Sequence, residues 1–265
     1  MQRAVLVILL LVPLVVGEIH CSDIGTNGTI YSDTVLDEDI YSEGNCLKIV
    51  ADNITLDCGN HRLVGGGGGI GIHVFGGNSV AIKNCVVYGF DYGIYSSYAS
   101  LSSITENEVR GCRIGFYLSS SSEIFLSKNI ARMNGKGMYA YAITGSKIVD
   151  NRFSENSGYG VEIKSSFSNM VKHNDLTYNR IGLGIYSSGN IDVIGNSLGG
   201  CHVGIETDSV GGIHSEGNSG DIVSGSLFES MLRSMRETLA FVLVVGVVFA
   251  LFVFLKLKRK RDISP

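Results

Sequence analysis

The feature of this sequence that most constrains its fold is a repeat of about 22 residues. A glycine followed by an apolar residue recurs seven times, with spacings of 22, 22, 22, 23, 22 and 22 residues. Asparagine recurs with nearly the same spacing. Two residue types that keep one period indicate a solenoid, in which each coil buries its apolar face against the next. The glycines are Gly71, Gly93, Gly115, Gly137, Gly160, Gly182 and Gly204, and the asparagines are Asn84, Asn107, Asn129, Asn151, Asn174, Asn196 and Asn218.

Each repeat contains three short apolar segments separated by bends, which predicts an all-β fold, a parallel β-helix. Counting from Ile54 gives about eight coils, and an insert at residues 65–69 lengthens an early coil. Strands of successive coils would lie ~4.8 Å apart. The composition agrees, since 35 glycines and only 2 prolines suit a chain with many bends. The frame of leucine-rich repeats, which have a similar length, is absent.

The repeated asparagines are expected to be structural. An amide has both a donor and an acceptor, so asparagines stacked on successive coils can bond up and down a column, and asparagine tolerates a left-handed bend. The residues before them alternate in charge, which predicts ion pairs between coils worth ~0.2–1 kcal/mol each. This alternating column reads Asp57, Lys83, Glu106, Lys128, Asp150 and His173. A second ladder is expected at Gly89, Cys112, Asn134, Asn156, Asn179 and Cys201.

Both ends of the chain are apolar. Residues 1–17 fit a signal peptide, with an uncleaved anchor as the alternative. Residues 239–255 contain no charge, are long enough to span a bilayer, and precede a basic tail at 256–265. A buried core helix is the alternative. The sequence thus predicts a cell-membrane protein, single-pass type I, with a cap (18–48), an outer β-helix domain (49–225), a juxtamembrane helix (226–238), a transmembrane helix and a cytoplasmic tail.

The exported part is acidic. The whole chain has a formal net charge of −4, and removing the signal (+1) and the tail (+4) leaves about −9. An acidic domain is a poor candidate for binding nucleic acid or anionic polymers. We therefore expect the membrane, and a surface glycan or another surface protein, as partners.

The best candidate for a site is the column that should point outward after each repeated glycine. It reads His73, Tyr95, Tyr117, Tyr139, Glu162, Gly184 and Glu206. Aromatic rings beside carboxylates suit sugar rings, which have apolar faces and polar edges. The alternative is that these tyrosines are good strand residues that stack with one another. The candidate ligand-binding residues are Tyr95, Tyr117, Tyr139, Tyr141, Tyr186, Glu162 and Glu206.

Evidence for catalysis or metal binding is weak. Glu162 and Asp208 are weak candidates for the carboxylate pair of a glycosidase, which lies ~5–10 Å apart, and we lean towards a protein that is not an enzyme. The six histidines fall in different columns, so no metal site and no cofactor is expected.

Six cysteines in an exported chain suggest disulfides. Cys21 and Cys46 are the favoured pair because both lie in the cap, whereas the partners of Cys58 and Cys85 stay open. Cys112 and Cys201 would lie four coils apart, too far to bridge. Asn27 and Asn53 begin glycosylation sequons.

Two stretches, CLKIVADNITLDCGNHRLVG (46–65) and NSVAIKNCVVYGFDYGIY (78–95), resemble the opening coils of the NosD-type right-handed β-helix family, a group within the carbohydrate-binding and sugar-hydrolase repeat domains. The resemblance covers about residues 46–218 and implies a right-handed, exported β-helix. The cap and the anchored end look like those of archaeal cell-surface members. The family name implies copper handling and nitrous-oxide reductase maturation, but the sequence has no clustered His, Met or Cys. The Asp or Arg clusters of pectate-lyase and polygalacturonase relatives are not matched either.

These observations predict a membrane-anchored β-helix that acts outside the cell as a binding or structural module for glycans. The alternatives are an accessory protein of the NosD type for a membrane-associated metalloenzyme, and a glycan-cleaving enzyme.

Overall fold

The structure, a computed structural model, describes residues 18–220. The predicted signal peptide, juxtamembrane helix, transmembrane helix and basic tail lie outside the described residues. Between residues 18 and 220, no helix is long and apolar enough to cross a membrane.

The described residues form a right-handed parallel β-solenoid of about nine coils, so the predicted fold class is confirmed with one coil more than expected. A short 3-10 helix, Cys21–Asp23, follows the first strand. The strands are, in chain order, β1 (Ile19–His20), β2 (Thr29–Ile30), β3 (Thr34–Val35), β4 (Ile40–Ser42), β5 (Leu47–Ile49), β6 (Thr55–Asp57), β7 (Arg62–Gly65), β8 (Ile70–Phe75), β9 (Ala81–Lys83), β10 (Val86–Tyr88), β11 (Tyr92–Ser97), β12 (Ser103–Thr105), β13 (Glu108–Arg110), β14 (Ile114–Ser119), β15 (Phe125–Ser127), β16 (Ile130–Arg132), β17 (Lys136–Tyr141), β18 (Lys147–Val149), β19 (Arg152–Phe153), β20 (Tyr159–Lys164), β21 (Met170–Lys172), β22 (Ile181–Tyr186), β23 (Gly189–Ile194), β24 (Val203–Asp208) and β25 (Gly211–Glu216).

Three parallel sheets run along the solenoid axis. Sheet A has seven strands in the order β1-β4-β7-β10-β13-β16-β19, and sheet B has nine in the order β2-β5-β8-β11-β14-β17-β20-β22-β24. Sheet C has nine in the order β3-β6-β9-β12-β15-β18-β21-β23-β25. Residues one repeat apart face each other in register, as Tyr95 does with Tyr117 and Tyr117 with Tyr139. Each repeat of the sequence is therefore one coil, and one side chain per coil forms each axial column.

The segment 18–48, expected to be a cap without the repeat, contains strands of the solenoid. Its strand β1 pairs with β4, and β2 pairs with β5. Aspartates occupy bends of this segment, where Asp33 accepts a bond from the Thr55 N–H at 2.8 Å and Asp39 from the Arg62 N–H at 2.7 Å. The first coils were missed in the sequence because they lack the asparagine marker of the later coils.

The interior is filled by stacked apolar side chains, one column for each inward position. The position after the repeated glycine is buried on every coil from Ile72 to Ile205. Aromatic rings also pack in this interior, where the ring centroids of Phe116 and Phe153 are 5.5 Å apart. Fully burying a side chain of this size contributes about 1.5–3 kcal/mol, so the column is a major source of stability.

The repeated asparagines form a buried hydrogen-bonded column beside this core. The Asn151 carbonyl oxygen accepts bonds at 3.0 Å from both the backbone N–H and the side-chain amide of Asn129. The Asn151 amide in turn donates to the backbone carbonyl of Leu126 at 2.9 Å. The left-handed residue at these bends is the one before the asparagine, for example Asp150 (φ 55°). The prediction that Asn84 belongs to the ladder is wrong: Asn84 is itself the left-handed residue (φ 56°), and Cys85 occupies the ladder position, where its N–H donates to the Asn107 side chain at 2.9 Å. The expectation that the asparagines themselves take this conformation is therefore corrected for the later coils.

The other predicted columns have distinct outcomes. Of the predicted charged column, Lys83 pairs with Asp57 at 3.1 Å, and Lys128 pairs with Glu106 at 3.4 Å. The prediction of one continuous column is wrong, because Lys83 aligns with Thr105 and the two pairs lie in adjacent columns. In the second ladder, the Asn134 N–H donates to the Asn156 side chain at 3.1 Å. At the bend between sheets B and C, serines cap backbone N–H groups in two further columns that the sequence analysis missed. Ser102 and Ser146 belong to one column, and Ser121, Ser166 and Ser188 belong to the other.

The cysteines fall into two disulfides and two free thiols. Cys21 and Cys46, the favoured pair, are bridged, and Cys58 is bridged to Cys85. Cys112 is free and buried, and burial raises the pKa of its thiol to about 11. The sequon residues Asn27 and Asn53 are both exposed.

Candidate functional site

The candidate site is the outer surface of sheet B, where an aromatic stack follows the solenoid axis. The stack consists of His73, Tyr95, Tyr117 and Tyr139 on four successive coils. The ring centroids are 4.7, 4.5 and 5.1 Å apart, with interplanar angles of 8°, 7° and 24°. Tyr92 flanks the stack, 5.8 Å from Tyr95 and 5.6 Å from Tyr117. Most ring faces are therefore covered by other rings, and the edges and hydroxyl groups remain for a ligand.

The polar atoms of the stack are neutral hydrogen-bonding groups. The Tyr95 hydroxyl lies 3.1 Å from the Ser119 hydroxyl, and His73 Nε2 lies 3.0 Å from the Ser97 hydroxyl. Burial, followed by the neighbouring phenols, raises the pKa of Tyr117 to about 12. Burial and then the charge of Lys48 lower the pKa of His73 below its ordinary value. At neutral pH the stack therefore presents uncharged donors and acceptors.

The stack ends at Glu162, which lies in register with Tyr139 on the next strand. Its side chain is only 2% exposed, although its column points outward. Lys136 and Lys164 both form ion pairs with its carboxylate, the second at 2.8 Å. The hydrogen bond to Glu162 raises the pKa of Lys164 above its ordinary value. The expectation that Glu162 is an exposed acid is corrected, because the two lysines cover it.

Tyrosine rings hold both lysines in place. The Lys136 ammonium lies 4.8 Å from the ring centroid of Tyr139 and 5.3 Å from that of Tyr159. The Lys164 ammonium lies 5.9 Å from the centroid of Tyr139 and 5.2 Å from that of Tyr186. These are distances at which a cation is attracted by the face of an aromatic ring. We call these six residues the lysine–tyrosine cluster: Lys136, Tyr139, Tyr159, Glu162, Lys164 and Tyr186.

A glycine makes room for the far side of the cluster. Gly184 follows Glu162 in the outward column, and a Cβ there would lie 2.7 Å from the Tyr159 ring and 2.8 Å from the Tyr186 ring. With this space free, the two tyrosines cross edge to face and their hydroxyl oxygens lie 3.0 Å apart. Burial, then the bond to Tyr159 and the charge of Glu206, raise the pKa of Tyr186.

The structure brings most, but not all, of the predicted site residues together. Tyr95, Tyr117 and Tyr139 form the stack, Tyr186 and Glu162 belong to the cluster, and Glu206 lies next to Tyr186 in the following coil. Tyr141 is 44% exposed on the strand of Tyr139. Asp208 is exposed at the end of β24 and aligns with Tyr186 rather than with Glu162.

Sequence reasoning missed the residue that precedes each repeated glycine. This position supplies Tyr92 to the stack, and Lys136 and Tyr159 to the cluster. It has the same period as the glycines, and the structure pairs Tyr92 with Ile114 and Ile114 with Lys136 in register. The period that identifies these residues was therefore present in the sequence, at a position of the repeat that the sequence analysis did not consider.

Two open hollows lie away from this face. One, of about 250 Å³, is lined by residues that include Ser168, Asn190 and Asp192. The other, of about 640 Å³, is lined by residues that include Met133, Glu155 and Tyr178. Neither one contains a buried charged group.

Fold and site together define a right-handed parallel β-helix domain with an aromatic and charged outer face. The sequence profile of the periplasmic copper-binding protein (NosD) family matches residues 26–230, and the chain belongs to that family. A search of curated protein sequences found no relative.

Several solved structures share the fold. The A-module of the mannuronan C-5 epimerase AlgE6 of Azotobacter vinelandii has 15% identity and a TM-score of 0.52, over 74% of this chain and 68% of its own. The periplasmic alginate epimerase AlgG has 15% identity and a TM-score of 0.52, over 73% of this chain and 60% of its own. The enzymatically active domain of tailspike protein 2 of bacteriophage CBA120 has 13% identity and a TM-score of 0.52, over 72% of this chain and 38% of its own. At these identities the likeness concerns the fold alone.

The described residues do not fit the copper that the family name implies. Copper sites draw on imidazole, thiolate and thioether groups that converge on one point. Across residues 18–220, no three His, Cys, Asp or Glu side chains are grouped to hold a metal ion. Three of the six histidines instead lie near carboxylates, for example His61 at 3.7 Å from Asp39 and His173 at 3.8 Å from Asp150. No step of a mechanism is therefore derived through copper.

Proposed function

We propose that this protein is an exported, membrane-anchored β-helix that binds an extended glycan along the outer face of sheet B. The observation that carries the proposal is the axial alignment of the aromatic stack with the lysine–tyrosine cluster. The two form one continuous surface over the strands β8, β11, β14, β17, β20 and β22. A linear polymer laid along this surface would meet a similar set of groups at each coil.

The chemistry of this surface suits a carbohydrate. Tyrosine and serine hydroxyls recur along the axis with the coil spacing of ~4.8 Å, so they can donate to and accept from the hydroxyl groups of successive sugar units. The ring edges add apolar contact area beside these polar groups. AlgE6 and AlgG, which share the fold, are named for their action on mannuronan and alginate, which supports a polysaccharide as the ligand class.

Anchoring rests on the sequence at both ends. The apolar run at 239–255 and the basic tail after it favour a single span with the β-helix outside. The word periplasmic in the family name agrees with a domain outside the cytoplasmic membrane. Protease added to cells whose outer envelope has been opened, with the cytoplasmic membrane left intact, should cleave the β-helix and leave the tail protected. Protection of the whole chain would contradict this orientation.

The binding proposal is tested with the double variant Tyr117→Ala with Tyr139→Ala. Because the variant removes two ring edges and two hydroxyl groups, and a hydrogen bond contributes about 0.5–1.5 kcal/mol, we expect glycan affinity to fall about tenfold or more. Affinity would be measured on a glycan array and then by titration of the purified full-length protein. The control is Tyr88→Ala, an exposed tyrosine on sheet A. If the double variant still binds glycan, or if Tyr88→Ala weakens binding equally, the outer face of sheet B is not the binding site.

An accessory role for a membrane-associated metalloenzyme is a second candidate, and the family match favours it. Its metal-carrying form predicts stoichiometric copper binding. The donor set of residues 18–220 predicts none, and the sequence has no His or Cys after His214. A copper titration that saturates at one equivalent would favour this candidate over the glycan.

Glycan cleavage by Glu162 and Asp208 is less well supported. Lys136 and Lys164 both form ion pairs with the Glu162 carboxylate, whose side chain is 2% exposed, so it is covered rather than open to a substrate. Asp208 aligns with Tyr186 and not with Glu162. Unchanged turnover of a glycan after Glu162→Gln would remove this assignment.

A further inference from the structure

We propose that the lysine–tyrosine cluster binds the carboxylate group of a uronic acid unit, so that the glycan is an anionic one. This inference deepens the proposed function and rests on it. The site would hold the carboxylate above Lys136 and Lys164, with the sugar ring against the edges of Tyr139 and its neighbours.

The positive charge of the two lysines exceeds the negative charge of the carboxylate they share. Lys136 and Lys164 bring two positive charges to one carboxylate, that of Glu162. Over residues 18–220, neither lysine lies within 4 Å of another acidic side chain. The six residues of the cluster therefore carry a formal charge of +1, which a carboxylate of the ligand would neutralise. Glu206 lies beside Tyr186 and forms no ion pair with either lysine.

The two lysines are already ordered before a ligand binds. A surface lysine is usually flexible, and fixing it on binding costs conformational entropy. Here each ammonium is held by the buried Glu162 and lies between two tyrosine rings, on Tyr139 and on Tyr159 or Tyr186. The side chains of Lys136 and Lys164 are still 32% and 41% exposed, so their free N–H groups can reach a ligand. Ordered donors with remaining capacity are what an anion site requires.

The domain as a whole is acidic, and for that reason the sequence analysis did not expect it to bind an anionic polymer. Net charge acts over the screening length, which is about 8 Å at physiological salt, so acids on distant faces have little influence on the cluster. Cations also lie further along the same face. Arg113 lies 4.5 Å from the ring centroid of Tyr92 and is only weakly paired, 3.4 Å from Asp91. Lys136, Lys164 and Arg113 thus place three cations on one face of a domain that is acidic as a whole.

The experiment uses purified full-length protein and matched oligosaccharides. The probes are oligomers of mannuronate, guluronate and galacturonate, each compared with the same oligomer after its carboxyl groups are reduced to neutral alcohols. The variants are Lys164→Gln and Glu162→Gln, with Lys172→Gln on sheet C as the control for loss of a lysine. Titration calorimetry gives affinities, and a thermal melt of each variant shows that it is folded.

The two variants should change affinity in opposite directions. Adding or removing one unit charge ~5 Å from the ligand's carboxylate, at the dielectric constant of water, changes the binding constant by a factor of about four. The change is larger where water is excluded. We therefore expect Lys164→Gln to weaken binding of at least one uronate oligomer about fourfold or more, and Glu162→Gln to strengthen it similarly. Lys172→Gln, and the reduced oligomers with every variant, should show no such change. If Glu162→Gln does not fold, the comparison of Lys164→Gln with Lys172→Gln decides.

The outcomes separate this inference from the proposed function. If reduced and unreduced oligomers bind equally, or if Lys164→Gln has no more effect than Lys172→Gln, the carboxylate site is overturned while glycan binding stands. If no uronate oligomer binds, the inference is also overturned, and binding of neutral glycans on the array then decides the proposed function. If nothing on the array binds, both are overturned.

Discussion

The interior asparagine ladder can be tested by one substitution, Asn151→Ala. Its side chain is 2% exposed and makes five hydrogen bonds. The carbonyl oxygen accepts two of them from Asn129. The amide donates to the carbonyls of Leu126 and Val149 at 2.9 and 3.0 Å, and to the side chain of Asn174 at 3.0 Å. Alanine removes all five, whereas the backbone N–H of residue 151 can still donate to Asn174.

The expected cost follows from the groups left behind. The buried backbone N–H of Asn129 loses its acceptor, and an unsatisfied buried donor costs about 1–3 kcal/mol. The Asn129 side-chain amide keeps its bond to the Ile104 carbonyl at 2.8 Å, so it loses less. Each carbonyl that loses a donor adds about 0.5–1.5 kcal/mol. We therefore expect the free energy of unfolding to fall by about 3 kcal/mol.

The measurement is equilibrium unfolding in urea, followed by circular dichroism. Asn45→Ala is the control, because Asn45 is exposed and its carbonyl accepts one bond, from the Ile70 N–H at 3.0 Å. It should cost about 1 kcal/mol or less. The slope of the transition must be the same for both variants if the comparison is to reflect stability. A loss below about 1 kcal/mol for Asn151→Ala, or one equal to that of the control, would refute the reasoning.

Three further predictions follow. Replacing Cys58 and Cys85 by serine opens a bridge with a sequence separation of 27 residues and should lower the free energy of unfolding by about 3–4 kcal/mol, whereas no loss on reduction would contradict it. Because the pKa of Tyr117 is raised from 10.0 to about 12, the unfolded chain ionises first at this residue. The contribution of Tyr117 to stability should therefore be constant below pH 10 and be lost between pH 10 and 12, and Tyr117→Phe should reduce the fall in stability over that range in urea titrations. Gly184→Ala should displace the Tyr159 ring and lower stability by about 1–3 kcal/mol, and an unchanged melting temperature would show that the ring can move freely.

Much of the fold could be predicted because the solenoid repeats one local rule. Gly93 marks a strand position where a Cβ would lie 2.7 Å from the carbonyl oxygen of Gly115 on the next coil, and Asn107 marks a ladder position. Residues 22 positions later mark the same places on the next coil. Where the rule changes, the prediction weakens. Asp33 and Asp39 do at the first bends what asparagine does later, and their spacing to the residues they bond is set by loops of unequal length. A search for one residue type at one period could not find them.

The site was less predictable, for a different physical reason. The period gives the column of a residue and therefore its side of the sheet, which is how Tyr117 and Glu162 were placed on the outer face. It does not give the direction of long side chains. Lys136 and Lys164 reach over Glu162 from neighbouring columns, and their conformations turn an outward carboxylate into a buried one. Exposure on this face depends on side-chain packing between columns, which no single period records.

The presence of Glu162 is itself an argument that this face serves more than folding. A tyrosine or an aliphatic residue at this position would continue the stack beyond Tyr139 and would need no partner. Replacing a buried ion pair by packed apolar groups is often neutral or stabilising, since taking charges out of water is costly. The chain instead places a carboxylate there and surrounds it with two lysines and three tyrosine rings. Departures from the most stable local choice are expected where a protein binds or reacts, and this one lies in the middle of the surface that a glycan would cover.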